Sequence, residues 1–273
     1  MLDQILSIFS YDFLARGLLV GLMVSVCSSL LGTTLVLKRF SMIGDGLGHV
    51  GFGTLAIAVA FGWAPLAVSL PVTVLAAFFL LRISDSGRIK GDAAIAMVSA
   101  GSLAIGIFII SATQGVNTDV ESYLFGSILT LTNADVILSV CLCALVFVLF
   151  ILFFNRIFAV TFDETFAKAS GVPTGLYNTV LAALVAITIV IGMRMMGALL
   201  ISSLIIFPAL ATMQLGRRYI TVTIWSALLA AFSFVTGYVL SIAFDAPTGA
   251  SVVIINLAVF LVLYLTRRVL GRS

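Results

Sequence analysis

Long apolar blocks alternate with short polar stretches from about residue 13 to residue 266. A helix crosses the hydrocarbon layer of a bilayer with ~20 apolar residues, or ~17 to 25 with tilt. On that ruler the pattern predicts spans near residues 13–37, 42–62, 64–82, 92–113, 135–155, 176–194, 197–215, 219–243 and 249–266. The expected fold is all-α, a polytopic transmembrane bundle of eight to nine helices forming a single domain over residues 1–273. Two joints, Gly62-Trp-Ala-Pro65 and Arg194-Met-Met-Gly197, are so short that either could hide a broken or re-entrant helix.

Composition sharpens the picture. Hydrophobic residues make up 62% of the chain and charged residues only 9%, where soluble domains average nearer ~25% charged. Glycine is frequent at 23 and proline scarce at 5, as suits helices that pack closely in lipid through small residues. The net charge of +3 comes from scattered basic pairs without interleaved aromatics, which excludes a nucleic-acid footprint. Cys27, Cys141 and Cys143 all fall in apolar segments and read as small buried hydrophobes. The first dozen residues lack the basic start of a signal peptide; Leu2, Ile5, Leu6 and Phe9 suggest a surface helix.

Basic residues set the expected orientation. Lys38, Arg39, Arg82, Arg88, Lys90, Arg156, Lys168, Arg217, Arg218, Arg267, Arg268 and Arg272 fall on one side of the nine-span scheme, which is 12 of the 14 Lys and Arg. Only Arg16 and Arg194 fall on the other, so the positive-inside rule predicts N-out and C-in. Arg194 reads as a side chain that snorkels to the headgroups.

Two connections are long. Residues 114–133, with Asp119 and Glu121, are expected outside and could hold a half-inserted helix. The other has a helix written into it at about residues 161–172: Thr161 or Asp163 as cap, Asp163 and Glu164 in the first turn, Lys168 in the last, then Gly171 and Pro173 as a stop. Exposed to the cytoplasm, a short amphipathic helix there is a docking handle.

The chemistry concentrates in Ser41-Met-Ile-Gly-Asp-Gly-Leu-Gly-His49-Val-Gly-Phe-Gly53, which holds the only histidine. Asp45 stands four residues before His49, so on a helix both side chains share a face and can meet one cation. Acid and imidazole in a lipid-soluble segment are costly unless they pair, face a cavity or bind something. The five glycines from Gly44 to Gly53 imply that another backbone, or a substrate path, comes close. Two ligands are too few for a tight site; two copies about a two-fold axis would supply an N2O2 set suited to Zn²⁺ and acceptable to Mn²⁺. Met193-Arg-Met-Met196 could be a soft Cu(I) site, but packing or a flexible gate is the better reading. Ser202, Ser203 and Pro208 suggest a kinked, cavity-lining helix. Phosphate-binding loops, zinc-protease motifs and nucleophile elbows are missing, so the chain is not an ATPase and shows no motif of a covalent catalyst.

Taken in order, several stretches resemble the ABC-3 family of metal-uptake permeases. They are Ser41 to His49, Tyr123-Leu-Phe-Gly-Ser127, Phe162-Asp163 with Ala167 and Gly171-Val172, Gly197 to Ala209, and Asp245-Ala-Pro-Thr-Gly-Ala-Ser251. Gly46 and Gly48 replace the family's commoner Ala and Ser. The resemblance implies a homodimeric permease in the bacterial cell membrane, two cytoplasmic ATPase subunits that bind ATP, and an extracytoplasmic metal-binding protein that delivers the ion. No cofactor is held permanently, and the metal is the cargo. By the same likeness Phe162, Asp163, Glu164, Lys168 and Gly171 belong to the element that couples to the ATPase, and Asp45 and His49 line the ion path. The Asp245 segment and the basic tail look slightly closer to zinc permeases; manganese or iron uptake is the alternative within the family. Outside it stand an ion-coupled secondary carrier, which predicts internal repeats that are not visible, and a membrane scaffold in which Asp45 and His49 only hold helices together.

Overall fold

The computed structural model describes residues 12–85, 91–113, 133–216 and 218–269. The expected N-terminal surface helix and the half-inserted helix in 114–132 lie outside these residues. Eleven helices account for most of what is described: α1 (Asp12–Leu37), α2 (Ile43–Ala60), α3 (Pro65–Asp85), α4 (Gly91–Ala112), α5 (Asn133–Leu152), α6 (Phe154–Phe162), α7 (Glu164–Ala169), α8 (Thr174–Met196), α9 (Ala198–Met213), α10 (Tyr219–Phe244) and α11 (Thr248–Val269). Seven are long and apolar enough to cross a membrane, and shorter apolar stretches in α3 and α9 add two more.

Burial separates inner from outer helices. The apolar windows of α1, α2 and α8 are each 72% buried, whereas those of α4 and α11 are 17% buried. In water such exposed apolar faces would aggregate; around this bundle they form the surface that lipid solvates. Helix α1 packs on α8, α9 and α10, α2 lies between α3 and α4, and α9 is also covered by α11. One large core ties them together, with Val24, Leu35, Ile43, Leu47, Leu200 and Leu204 all fully enclosed.

Small residues set how close the helices come. A Cβ on Gly32 would collide with the carbonyl of Ile205, one on Gly53 would lie 2.6 Å from the carbonyl of Ser102, and one on Gly237 would lie 2.6 Å from the Cα of Val252. These contacts join α1 to α9, α2 to α4 and α10 to α11 through backbone, which a larger residue could not permit. The glycines at the start of α2 thus admit neighbouring helices: Gly46 faces Ile95, Gly48 faces Ala198 and Gly51 faces Met193.

Hydroxyl groups bind α1 to α10 inside the core. Ser29 and Ser226 share a hydrogen bond of 2.8 Å, and Thr34 and Tyr219 one of 2.7 Å. Such pairs satisfy groups that would otherwise stand unpaired in an apolar interior. Cys27 donates to the carbonyl of Cys143 and both are buried, whereas Cys141 is exposed on α5, so the expectation of three buried thiols fails there. Adjacent odd positions sit on different faces of a helix, and only one faced the core.

The two tight joints differ. Phe61, Gly62 and Trp63 are exposed between α2 and α3. The joint of α8 and α9 is enclosed: Met193, Met195, Met196 and Ala198 are all buried. Gly197 adopts φ 87 and ψ 155, a region essentially closed to other residues, and this breaks the helix. Met196 fills the space beside Gly21, nine residues into α1, so the break lies about 13 Å in from the start of α1 at 1.5 Å per residue. The chain therefore turns within the bundle.

Candidate metal path and coupling surface

Asp45 and His49 occupy the one open stripe at the start of α2. From Ile43 to Gly53 every other residue is buried, while Asp45 and His49 remain partly exposed in line with Met42. Their side chains meet, with His49 Nε2 3.6 Å from Asp45 Oδ1, and their side-chain exposures are 16% and 41%. The other imidazole nitrogen, Nδ1, is buried without a hydrogen-bond partner. Asp45 also stands in the first turn, where the helix dipole favours a carboxylate. The pair offers one oxygen donor and one nitrogen donor on an accessible face. Among the described residues no group of three or more His, Cys, Asp or Glu gathers.

The residues read as gate candidates divide. Ser202 is partly exposed beside Gly44, with its Oγ 3.7 Å from the place a Cβ would take there, and it donates to the Ala198 carbonyl. Ser203 is buried on another side of α9 and accepts a hydrogen bond from Asn256 on α11 at 3.3 Å. Pro208 is buried inside α9, and the helix runs on past it. The three therefore do not face one cavity; only Ser202 adjoins the Asp45 stretch. The methionines of the 193–196 segment pack, as the soft-site alternative required them not to.

Arg194 pairs with a carboxylate on another helix. Its Nη2 lies 3.0 Å from Asp135 Oδ1 in the first turn of α5, and the side chains are 34% and 12% exposed. Buried carboxylates need such a partner, and the α8–α9 break brings the cation inward. This pair is not legible along the chain, since the two residues are far apart in it and share no spacing rule.

The helix expected at about residues 161–172 is present in a shorter form. Residues 154–162 form α6, and the capped unit is α7, six residues long. Asp163, not Thr161, is the cap: its carboxylate accepts the Phe166 amide at 2.8 Å, while Thr161 bonds back to Ile157. Gly171, at φ 80, ends the turn; its amide reaches Lys168 and that of Val172 reaches Ala167, the paired bonds of a Schellman motif. Phe162 and Phe166 project outward, 58% and 68% exposed. Behind α7 a polar network fixes it to the bundle: Asn178 donates to Glu164 at 3.0 Å, Lys38 donates to Asn178 at 2.6 Å, and Lys38 lies 3.9 Å from Glu164. The ends of α1 and α8 thus hold α7 together.

Residues 10–267 match the ABC 3 transport family. The chain belongs to that family. It is the membrane permease of an ABC metal-ion importer, a multi-pass membrane protein and not an enzyme. A manganese transport system membrane protein, MntC, of Halalkalibacterium halodurans is 25% identical, over 94% of this chain and 87% of that protein. A probable iron transport system membrane protein of Haemophilus influenzae is 29% identical, over 97% and 94%. Among solved structures, PsaBC from Streptococcus pneumoniae in complex with Fab aligns with a TM-score of 0.85 and 26% identity, covering 96% of this chain and 94% of that one. Family membership also implies a separate ATPase and a substrate-binding protein as partners.

Proposed function

We propose that two copies of this chain form the membrane pathway of an importer for a divalent first-row transition metal, with Asp45 and His49 of each copy supplying the ligands. The observation that carries this reading is the open stripe on α2, where a carboxylate and an imidazole stand 3.6 Å apart. Two such stripes about a two-fold axis give two oxygen and two nitrogen donors, a set that zinc, manganese and ferrous iron all accept. Donors shared between subunits and partly open to solvent bind the ion and release it again, as conduction requires. Relatives named for manganese and for iron support those ions as well as the zinc suggested by the sequence.

The orientation follows the basic residues: the α6–α7 end faces the cytoplasm and docks on the ATPase through Phe162 at the end of α6 and Phe166 of α7. ATP-driven closure of the ATPase pair is transmitted through α7 and the Lys38–Asn178–Glu164 network to α1 and α8. The test is uptake of radioactive manganese, iron and zinc into vesicles holding the permease with its ATPase. ATP-dependent uptake of one of these ions, lost in Asp45→Ala and His49→Ala at equal folded protein, is the expected result. Uptake indifferent to ATP, or intact in both variants, overturns the reading.

A further inference from the structure

At the same end of the bundle a cavity of about 200 Å³ opens between α3, α7 and α8. Its walls carry opposite charges. Arg82 of α3 stands with its guanidinium carbon 5.9 Å from the centre of the Phe78 ring, and Glu164 of α7 faces the same space. Gly175, Asn178 and Thr179 of α8 complete the polar lining. Asn178 and Lys38 hold the Glu164 carboxylate in position without exhausting it, since a carboxylate has about four lone-pair sites and these partners use only some of them. On the same two helices Leu75 and Phe79 of α3 and Leu176 of α8 are exposed apolar side chains.

A pocket lined by Arg82 and Glu164, with Lys38 paired to that carboxylate from behind and exposed apolar side chains on the same helices, suits a ligand that is itself zwitterionic and carries hydrocarbon. We propose that this cavity binds the headgroup of a phospholipid bearing a primary ammonium, its phosphate on Arg82 and its ammonium on Glu164, with the acyl chains along α3. The guanidinium fork suits a phosphate, and an ammonium offers the hydrogen bonds a carboxylate accepts. A trimethylated headgroup is larger and has no N–H to donate, and a glycerol headgroup brings no positive charge. The position rests on the proposed orientation, which places this end in the cytoplasmic headgroup layer. Because Glu164 belongs to α7, the lipid becomes part of the linkage between the coupling helix and the bundle.

The test is lipid retention by the full-length permease, purified without metal, ATPase or ATP from membranes mixed from phosphatidylethanolamine, phosphatidylcholine and phosphatidylglycerol, and read by native mass spectrometry. Expected is preferential retention of phosphatidylethanolamine, reduced about tenfold in Arg82→Gln and in Glu164→Gln, the scale of one charge-assisted hydrogen bond, and kept in Arg82→Lys. Equal retention of the three lipids overturns the proposal, as does unchanged retention in both neutral variants at unaltered melting temperature. If, in a separate preparation co-expressed with the ATPase, Arg82→Gln lowers co-purification of that subunit while lipid retention by the permease alone is unchanged, the cavity receives an acidic side chain of the ATPase and the lipid assignment is wrong. None of these readouts depends on metal transport, so failure here leaves the proposed function untouched, and failure of that function leaves this measurement valid.

Discussion

Arg194 at the end of α8 and Asp135 at the start of α5 form an ion pair of 3.0 Å. The pair spans the place where the chain turns back within the bundle, and it neutralises a cation one residue from Met193, which packs against α2. Removing one partner leaves the other charge in a poorly solvated place, whereas removing both does not.

Asp135→Asn and Arg194→Gln are therefore each expected to lower the stability of the purified permease by about 1–3 kcal/mol, less than a fully buried pair because Arg194 is partly exposed. The double variant should lose less than the two single losses added together. Melting curves of the four proteins in one detergent test this; strict additivity would show that the pair contributes no coupling.

Gly53→Ala should cost about 1–3 kcal/mol by forcing α2 away from the backbone of Ser102. Gly101→Ala serves as the comparison: nothing lies within 4 Å of its added methyl, and the change should be neutral or stabilise α4 by up to about 1 kcal/mol. Equal melting temperatures for the two variants would contradict the close α2–α4 approach.

Asp163→Ala removes the cap of α7 and is expected to destabilise that helix by about 0.5–2 kcal/mol. Gly171→Ala strains the left-handed stop by about 1–2 kcal/mol. Both lie far from Asp45 and His49 in the chain and leave the ligands intact. Metal binding to the resting permease should thus be preserved while ATP-driven uptake per ATP hydrolysed falls. Loss of binding in these variants would mean that α7 does more than couple.

If donors from two chains share the ion, binding should saturate near one ion per two permeases, and His49→Ala in a single copy of a mixed dimer should weaken it. Equilibrium dialysis with manganese and zinc measures the stoichiometry. One ion per chain, with affinity independent of the second copy, would point to ligands within a single chain.

Hydropathy alone determined that this protein is a bundle of apolar helices, because each crossing must satisfy its own backbone bonds in lipid and so leaves a run of ~20 apolar residues in the sequence. The Asp45–His49 pair and a helix capped at Thr161 or Asp163 were also legible, since both depend on spacings of three or four residues within one helix. Longer-range relations were not. Arg194 read as an outer anchor because its distance from Asp135 along the chain has no periodicity, and the joint at Gly197 was legible as a place where a helix could break, but its burial was not. Nor could sequence separate Ser202 from Ser203, one beside Asp45's stretch and the other bonded to Asn256. Which face of each helix meets another, and at what depth, is decided by packing among all of them, and only the tertiary structure holds that information.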